Sequence, residues 1–247
     1  RQEVELARRI QSALLPRVIP KLEGFEIAVA FQPALLVGGD YYDFFRMRDG
    51  KVGFLVADVS GKGVSGSLVV VMFRSVIHSE SPIFSSPKEL LLRAHESLIG
   101  EIPEDMYITT CMGAIKGRSI TLASAGHNPP ILYRASMGKA FTLEIKGVPL
   151  GISVLSLEDV DENLEEYPLE LERGDVLILY SDGITEAENF RKDQFGEDRL
   201  LKIAESLAKS EYSAEKIKDG ILEAVKDFVG GTPQSDDITL LVIKCVG

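Results

Sequence analysis

The sequence predicts an α+β domain whose short strands pair as antiparallel hairpins and whose helices come in consecutive pairs. The first β-rich block contains FEIAVAFQP, DYYDFFRM and KVGFLVAD, which are rich in β-branched and aromatic residues. The turn RDGK, Arg48 to Lys51, joins the last two segments as an Asp-Gly hairpin. Two helical segments follow, about Val64 to Ser79 and Pro87 to Ile99, with no strand between them.

A second β-rich block and a second helical pair complete this order. The block runs through MYITTCMGAIK, SITLASAG, PILYRA, AFTLEI and GDVLILYSDG. Helices are predicted near Glu197 to Lys209 and Ala214 to Phe228, and a last strand, DITLLVIKCV, follows them. The chain therefore lacks the regular strand and helix alternation that is typical of a parallel sheet.

The N-terminal segment RQEVELARRIQSALLP is predicted to be a helix that ends at Pro16. Leu6, Ile10 and Ala13 recur on it at helical spacing, with arginine and glutamine between them. This helix either caps the core or continues an upstream helix that links the domain to a sensor. Because the chain starts without a methionine inside this apparent helix, we expect it to be a fragment of a longer protein.

The composition excludes several classes of protein. The 247 residues carry a net charge of −11, which argues against a nucleic-acid binder and against adsorption to an anionic membrane. No apolar run approaches a membrane span, and no signal peptide is recognisable. The two cysteines, Cys111 and Cys245, fit a reduced cytosolic chain. We therefore expect a cytoplasmic domain, to which an upstream sensor or membrane segment outside this chain could be attached.

The segment FLVADVSGKGVSG carries the glycine triplet Gly61-x-Gly63-x-x-Gly66, which resembles a dinucleotide-binding fingerprint. That fold needs a second parallel strand after the first helix, whereas a second helix follows here. A P-loop is excluded because Val56 and Gly63 occupy the positions of its first glycine and its serine or threonine. Asp58 as the phosphoacceptor of a receiver domain would require regular alternation. The triplet is therefore interpreted as a turn.

Four segments place aspartates beside glycine or serine at strand ends. Any one such aspartate is usually a cap or turn residue, but four converging carboxylates would repel each other and need cations. All the donors are oxygens, which selects Mg²⁺ or Mn²⁺ over zinc, and two ions with a bridging hydroxide suit phosphoester hydrolysis. The acidic residues of the four segments are Asp40 and Asp43, Asp58, Asp182 and Glu186, and Asp236 and Asp237.

The three histidines have different expected roles. His78 and His95 lie in helical segments, where surface or packing roles are expected. His127 lies in the turn SAGHNPP, where its ring either hydrogen-bonds and stiffens the loop or donates a proton to a leaving group.

The ordered set of motifs resembles the metal-dependent protein phosphatase 2C (PP2C) superfamily, and within it the bacterial SpoIIE and RsbU type. The matching pieces are ARRIQSALLP, VGGDYYDFF, VADVSGKGVSGSLVV, SAGHNPPILY, GVPLGI, LILYSDGITEA and SDDITLLVI. The resemblance implies a four-layer α-β-β-α sandwich of two antiparallel sheets flanked by helices. It also implies that residues 1–16 are a linker or regulatory helix and that residues 17–247 form a serine/threonine phosphatase domain.

The resemblance also implies a set of ligands for two metal ions, carried over motif by motif. Asp58 would bridge both ions, joined by the backbone carbonyl of Val59. Asp182 from SDG and Asp236 from DDIT would complete the pair of sites. Asp40 from GGD would add a carboxylate directly or through water, and Asp40 and Asp58 are the residues expected to act in catalysis.

Two further expectations concern neighbours and partners of this site. Asp237 is adjacent to Asp236, and only one of the two should enter the site because adjacent strand side chains face opposite ways. No basic residue matches the arginine that grips the phosphate in the eukaryotic enzymes. The substrate implied is a phosphorylated anti-anti-sigma (STAS) protein, with an upstream sensor or regulatory domain and a homodimer through the N-terminal helix as further partners.

Two other functions stay open beside the phosphoprotein phosphatase. One is a catalytically silent signalling module with the same fold, which the presence of all the acidic positions disfavours. The other is a metal-dependent hydrolase of small phosphoesters that uses the same site with an open pocket.

Overall fold

The structure is a computed structural model that describes residues 2–61 and 63–247, so Arg1 and Lys62 lie outside the described residues. The helices are α1 Gln2–Leu14, α2 Val64–Glu80, α3 Pro87–Leu98, α4 Leu157–Glu162, α5 Asp182–Thr185, α6 Glu197–Lys209 and α7 Ala214–Val229. The strands are β1 Phe25–Gln32, β2 Asp40–Arg46, β3 Val52–Val59, β4 Ile108–Lys116, β5 Ser119–Ala125, β6 Ile131–Arg134, β7 Lys139–Thr142, β8 Glu166–Glu170, β9 Val176–Tyr180 and β10 Ile238–Cys245.

The chain divides into two compact units, each with one five-stranded antiparallel sheet and its own helices. Unit 1 comprises Arg1–Val18, Leu35–His127 and Ile145–Glu170. Its strand order is β2-β3-β4-β5-β8. Unit 2 comprises the remaining segments, and its strand order is β1-β10-β9-β6-β7. Every strand pairing in both sheets is antiparallel, as the hairpin pattern predicts.

One face of the unit 1 sheet packs against helices and forms a hydrophobic core. Tyr41 and Leu55 lie on this face, and the ring of Tyr41 meets that of Phe73 of α2 edge to face at 6.4 Å. Successive side chains of a strand point to opposite faces. Asp40 and Asp58, each an odd number of positions from these core residues, therefore lie on the other face of the sheet.

Helix α1 is fixed to unit 1 by polar contacts. The buried amide of Gln11 donates to the carbonyl oxygen of Gly38 at 2.7 Å and accepts from the Gly38 N–H at 3.1 Å. The guanidinium of Arg74 on α2 donates to the carbonyl oxygen of Leu14 at 2.9 Å. This last bond satisfies a carbonyl that has no partner within the helix, because the helix ends there.

The predicted apolar stripe of α1 faces away from the core of unit 1. Leu6 and Ile10 are 54% and 52% exposed, and Ala13 is exposed as well. These three side chains therefore do not pack into the hydrophobic core of unit 1, and both alternatives for the helix stay predictions.

The unit 2 core lies between one face of its sheet and helices α6 and α7. Ile178 on β9 and Val242 on β10 are fully buried, together with Leu200 of α6 and Ile217 and Ile221 of α7. The apolar residues of α7 recur three or four positions apart, so they lie on a single face of the helix.

Local signals explain where the helices begin and end. Ser86 accepts from the N–H of Glu89 at 3.1 Å at the start of α3, and Ser213 accepts from that of Lys216 at 3.3 Å at the start of α7. Gly230 ends α7 in the left-handed conformation with φ 58°, which glycine adopts without a steric cost.

The predicted α+β fold with two antiparallel sheets flanked by helices is confirmed. The four helices of the two predicted pairs agree with α2, α3, α6 and α7 to within one residue at either end. The short elements α4, α5 and β8 were not predicted. Among the residues that the structure describes, no helix is long and apolar enough to cross a membrane.

Candidate active site

Two of the predicted site residues form a cross-strand pair in unit 1. Asp40 is the first residue of β2, and the antiparallel register sets it directly opposite Asp58, near the end of β3. Directly opposed residues in an antiparallel pair have Cβ atoms about 4.5–5.5 Å apart on the same face of the sheet. Asp40 is only 2% exposed, and Asp58 is half-buried. The structure therefore brings these two carboxylates together in a confined place.

A glycine before Asp40 permits this close approach. The carbonyl oxygen of Gly39 accepts from the N–H of Val59 at 3.0 Å. A Cβ at Gly39 would lie 2.6 Å from the carbonyl oxygen of Val59 and 3.4 Å from Oδ1 of Asp58. Because both neighbours face the space that a side chain would fill, Gly39 leaves the Val59 carbonyl and the Asp58 carboxylate accessible from one side.

The glycine triplet forms the turn that leads from Asp58 into α2. Gly61 and Gly63 have φ values of 104° and 72°, which favour glycine. A Cβ at Gly66 would lie 2.5 Å from the carbonyl oxygen of Gly61, so the first turn of α2 packs directly on the loop. Ser60 holds the loop from the other side, since its Oγ accepts from a backbone N–H at 2.7 Å. The interpretation of the triplet as a turn is confirmed.

Asp43 does not join the pair, although it was grouped with Asp40 by sequence. It is three positions from Asp40, so it points to the helix-covered face of the sheet. Its carboxylate accepts from the hydroxyl of Tyr41 and lies 2.5 Å from Nε2 of His78 and 3.9 Å from Nε of Arg74. Burial and the neighbouring carboxylate raise the pKa of Tyr41. Asp43 therefore belongs to a buried polar network under α2.

Unit 2 brings together two other predicted residues. Asp182 is the first residue of α5, two positions after the end of β9, and Asp236 lies two positions before β10, the neighbouring antiparallel strand. A Cβ at Gly183 would lie 1.9 Å from the carbonyl oxygen of Asp237 and 3.4 Å from the carbonyl carbon of Asp236. The backbone after Asp182 thus lies directly against the carbonyl group of Asp237. Beside it, the Oγ of Ser181 accepts from the N–H of Thr239 in β10 at 2.9 Å.

The adjacent carboxylates of Asp236 and Asp237 have different surroundings. Oδ1 of Asp237 accepts from the N–H of Ala34 at 2.8 Å, and the residue is 7% exposed. Asp236 is half-buried, and its Oδ1 accepts from the N–H of Asp237 at 3.0 Å. The hydrogen bond to Ala34 ties Asp237 to the segment that follows β1. This structural role is consistent with the choice of Asp236 as the ligand.

The histidines have mainly packing roles. His95 is fully buried, with Nδ1 accepting from the N–H of Gly151 at 3.1 Å and Nε2 lying 3.0 Å from the carbonyl oxygen of Leu155. His127 is 9% exposed, and its Nδ1 lies 3.0 Å from the hydroxyl of Thr109, which faces Asp58 across the β3–β4 pair. The first alternative for His127, a ring that stiffens its loop, is consistent with this contact.

Within residues 2–61 and 63–247, no three or more histidine, cysteine, aspartate or glutamate side chains come together as a metal site. The predicted ligands stand as one pair in each unit, Asp40 with Asp58 and Asp182 beside Asp236. Their joint action on two ions therefore remains a proposal.

Two solved structures have the same fold as this chain. The SiaA-PP2C domain of Pseudomonas aeruginosa matches with a TM-score of 0.81 at 21% identity, covering 98% of this chain and 95% of that chain. The RsbU and RsbW domains of Rv1364c from Mycobacterium tuberculosis match with a TM-score of 0.76 at 22% identity, covering 94% and 63%. The fold is that of a PP2C-type phosphatase domain.

The family follows from the sequence comparison. The family described as Stage II sporulation protein E (SpoIIE) matches residues 48–246, and the chain belongs to this family. Phosphoserine phosphatase RsbU of Bacillus subtilis (strain 168) is 29% identical over 247 residues, covering 99% of this chain and 70% of RsbU. The chain is thus a protein serine/threonine phosphatase domain of the SpoIIE type, and the predicted resemblance is confirmed.

Proposed function

We propose that this domain removes phosphate from phosphoserine or phosphothreonine on a regulatory protein, with two Mn²⁺ or Mg²⁺ ions as cofactors. The observation that carries the proposal is the cross-strand pair of Asp40 and Asp58. Two opposed carboxylates in a confined place repel each other. A cation bound between them attracts both and so offsets this repulsion. Their oxygen donors suit the hard cations Mg²⁺ and Mn²⁺.

The residues fit such ions in number and chemistry. The proposed ligands are Asp40, Asp58, the carbonyl of Val59, Asp182 and Asp236. When bound, the ions would neutralise the phosphoryl oxygens and make water a stronger nucleophile at neutral pH. The support is the donor set itself, together with the space that the missing side chain of Gly39 leaves beside Val59 and Asp58.

The chain's own contribution is to position these oxygens rigidly. The register of β2 and β3 fixes Asp40 against Asp58, and the bond from Val59 N–H to Gly39 O fixes the turn beside them. Because the burial of Asp40 limits its exposure to water, its charge interacts strongly with anything bound there. Prearranged charges of this kind lower the barrier for a reaction in which charge builds up on phosphate oxygens.

A phosphorylated anti-anti-sigma protein of the STAS class is the proposed substrate. The similarity to a phosphoserine phosphatase, RsbU, supports a phosphoserine substrate. The solved chain that combines an RsbU domain with an RsbW domain supports a regulatory protein as partner. The proposed location of the domain is the cytoplasm, because its cysteines are not paired. Both are buried free thiols, and burial raises the pKa of Cys111 to about 12, which suits a chain without disulfides.

Residues 1–16 are proposed to act in regulation, and residues 17–247 in catalysis. Leu6 and Ile10 are one helical turn apart on the outer face of α1, where they can pair with a second copy of the helix or with an upstream domain. Gln11 and Arg74 hold the inner face of α1 on unit 1 through hydrogen bonds. A partner that binds the outer face and shifts the helix would therefore also move Gly38, in the loop before Asp40. A homodimer through α1 is therefore part of the proposal.

One set of assays tests this function against its alternatives. The chain is given a phosphorylated STAS protein, a phosphoserine peptide and a chromogenic phosphate with Mn²⁺, and then with EDTA. We expect turnover of the protein substrate that stops with EDTA and returns with Mn²⁺ or Mg²⁺. Full activity in metal-free buffer would contradict the role of the ions. Turnover of the chromogenic phosphate alone would favour a small-phosphoester hydrolase, and no turnover at all would favour a silent module.

A further inference from the structure

Unit 2 contains a cavity of about 490 Å³ between α7, α5 and the segment that leads into β10. Its floor is apolar, formed by Leu222, Val225 and Val229 of α7 and by Ile238. This volume lies in the range of about 300–1,000 Å³ that is usual for ligand pockets, and it holds one large side chain with room to spare.

The cavity adjoins the residues proposed to bind metal in the same unit. Gly183 and Ser235 both line it, and they directly follow and directly precede Asp182 and Asp236 in the chain. Consecutive Cα atoms are about 3.8 Å apart. A substrate residue a few positions from the phosphorylated residue could therefore reach the cavity while the phosphate lies near Asp182 and Asp236.

The charges around the cavity are mostly negative. Glu188, Asp219 and Glu223 line it, against one lysine, Lys226. Glu188 pairs with a lysine outside the cavity at 2.9 Å, and Asp219 pairs with one at 3.2 Å. Glu223, one turn along α7 from Asp219, has no hydrogen bond or ion pair among the residues that the structure describes. Of the three carboxylates that line the cavity, Glu223 is therefore the one available to bind a ligand.

We propose that this cavity binds a lysine or arginine side chain of the phosphoprotein substrate, close to the phosphorylated residue, and so sets a sequence preference. Such side chains have an apolar stem that suits the floor of Leu222 and Val229, and a cationic end that suits Glu223. The inference rests on the proposed phosphatase function and adds the chemistry of the residue next to the phosphate.

Phosphoserine peptides test this preference directly. Three series carry a single lysine, norleucine or glutamate at each position from three before to three after the phosphoserine. We expect kcat/KM for the best lysine peptide to exceed that for the matching glutamate peptide by about fivefold, which corresponds to the upper end of the range for an exposed ion pair. Glu223→Gln should remove most of this difference, and Glu223→Lys should reverse it.

Two controls separate this inference from the proposed function. Asp227→Asn removes the same charge from α7 outside the cavity lining and should keep the preference, and turnover of a chromogenic phosphate should be the same in all variants. Equal rates for the lysine and glutamate peptides, or a preference that survives Glu223→Lys, would overturn the inference while the phosphatase function stands. If neither peptides nor the chromogenic phosphate are hydrolysed, the proposed function fails and the inference falls with it.

Discussion

Gly183→Ala is expected to damage the site without changing any charged residue. A Cβ at this position would lie 1.9 Å from the carbonyl oxygen of Asp237, whereas real Cβ atoms essentially never come closer than 3.0 Å to another heavy atom. The obstacle is backbone rather than the end of a flexible side chain. The turn after Asp182 must therefore move by about 1 Å relative to the segment of Asp236 and Asp237.

Two magnitudes follow from this displacement. Overpacking of a tightly packed region costs about 1–3 kcal/mol of unfolding free energy, which lowers Tm by roughly 2–12 °C in a chain of this size. A misplacement of about 1 Å can lower catalytic efficiency about 10²-fold. We therefore expect kcat/KM toward a chromogenic phosphate to fall by about that factor even at temperatures where Gly183→Ala is fully folded.

Gly220→Ala provides the matched control. Gly220 lies inside α7, and the nearest atom to its added Cβ is Cδ2 of Leu207 at 2.7 Å, the end of a side chain that can rotate away. Replacing glycine by alanine inside a helix stabilises it by roughly 0.5–1 kcal/mol, which offsets the small adjustment. Thermal unfolding and kcat/KM are measured for both variants. A Gly183→Ala enzyme with wild-type Tm and kcat/KM would refute the reasoning about this contact.

Two further predictions concern α1 and the buried network under α2. Leu6→Ser with Ile10→Ser should leave Tm nearly unchanged, because both side chains are exposed, but should alter basal activity or the mass measured by light scattering; if neither changes, the helix is a passive cap. Asp43→Asn should lower the unfolding free energy by about 2–4 kcal/mol in urea titrations, since the buried carboxylate faces Tyr41, His78 and Arg74. An unchanged urea midpoint would show that this network contributes little.

Local sequence signals were sufficient to predict most of the helices and strands. The Asp-Gly turn was readable because Asp49 and Gly50 take φ values of 61° and 72°, which these residue types tolerate best. Strand β8 was missed because Pro168 interrupts its pattern, and the structure places this strand at the edge of the sheet, where proline is tolerated. Helix α5 spans one turn, which is too short to show a period.

The site was only partly readable from the sequence. Gly39, Asp40 and Asp58 belong to contiguous motifs, so their grouping could be predicted. The exclusion of Asp43 was not predicted, although its odd separation from Asp40 puts it on the opposite face of β2. The bond from Ala34 to Asp237 and the cavity beside Gly183 depend on residues far apart in the chain, and no local pattern carries that information.

Asp58→Asn tests the central claim most directly, because asparagine keeps the shape of the side chain and removes its charge. We expect kcat/KM at low Mn²⁺ to fall on the order of 10³-fold or more, with weaker Mn²⁺ binding by calorimetry and partial recovery at high Mn²⁺. Asp49→Asn makes the same chemical change in the exposed turn between β2 and β3 and should behave like the wild type. Wild-type kcat/KM for Asp58→Asn at low Mn²⁺ would contradict the assignment of this aspartate to the metal site.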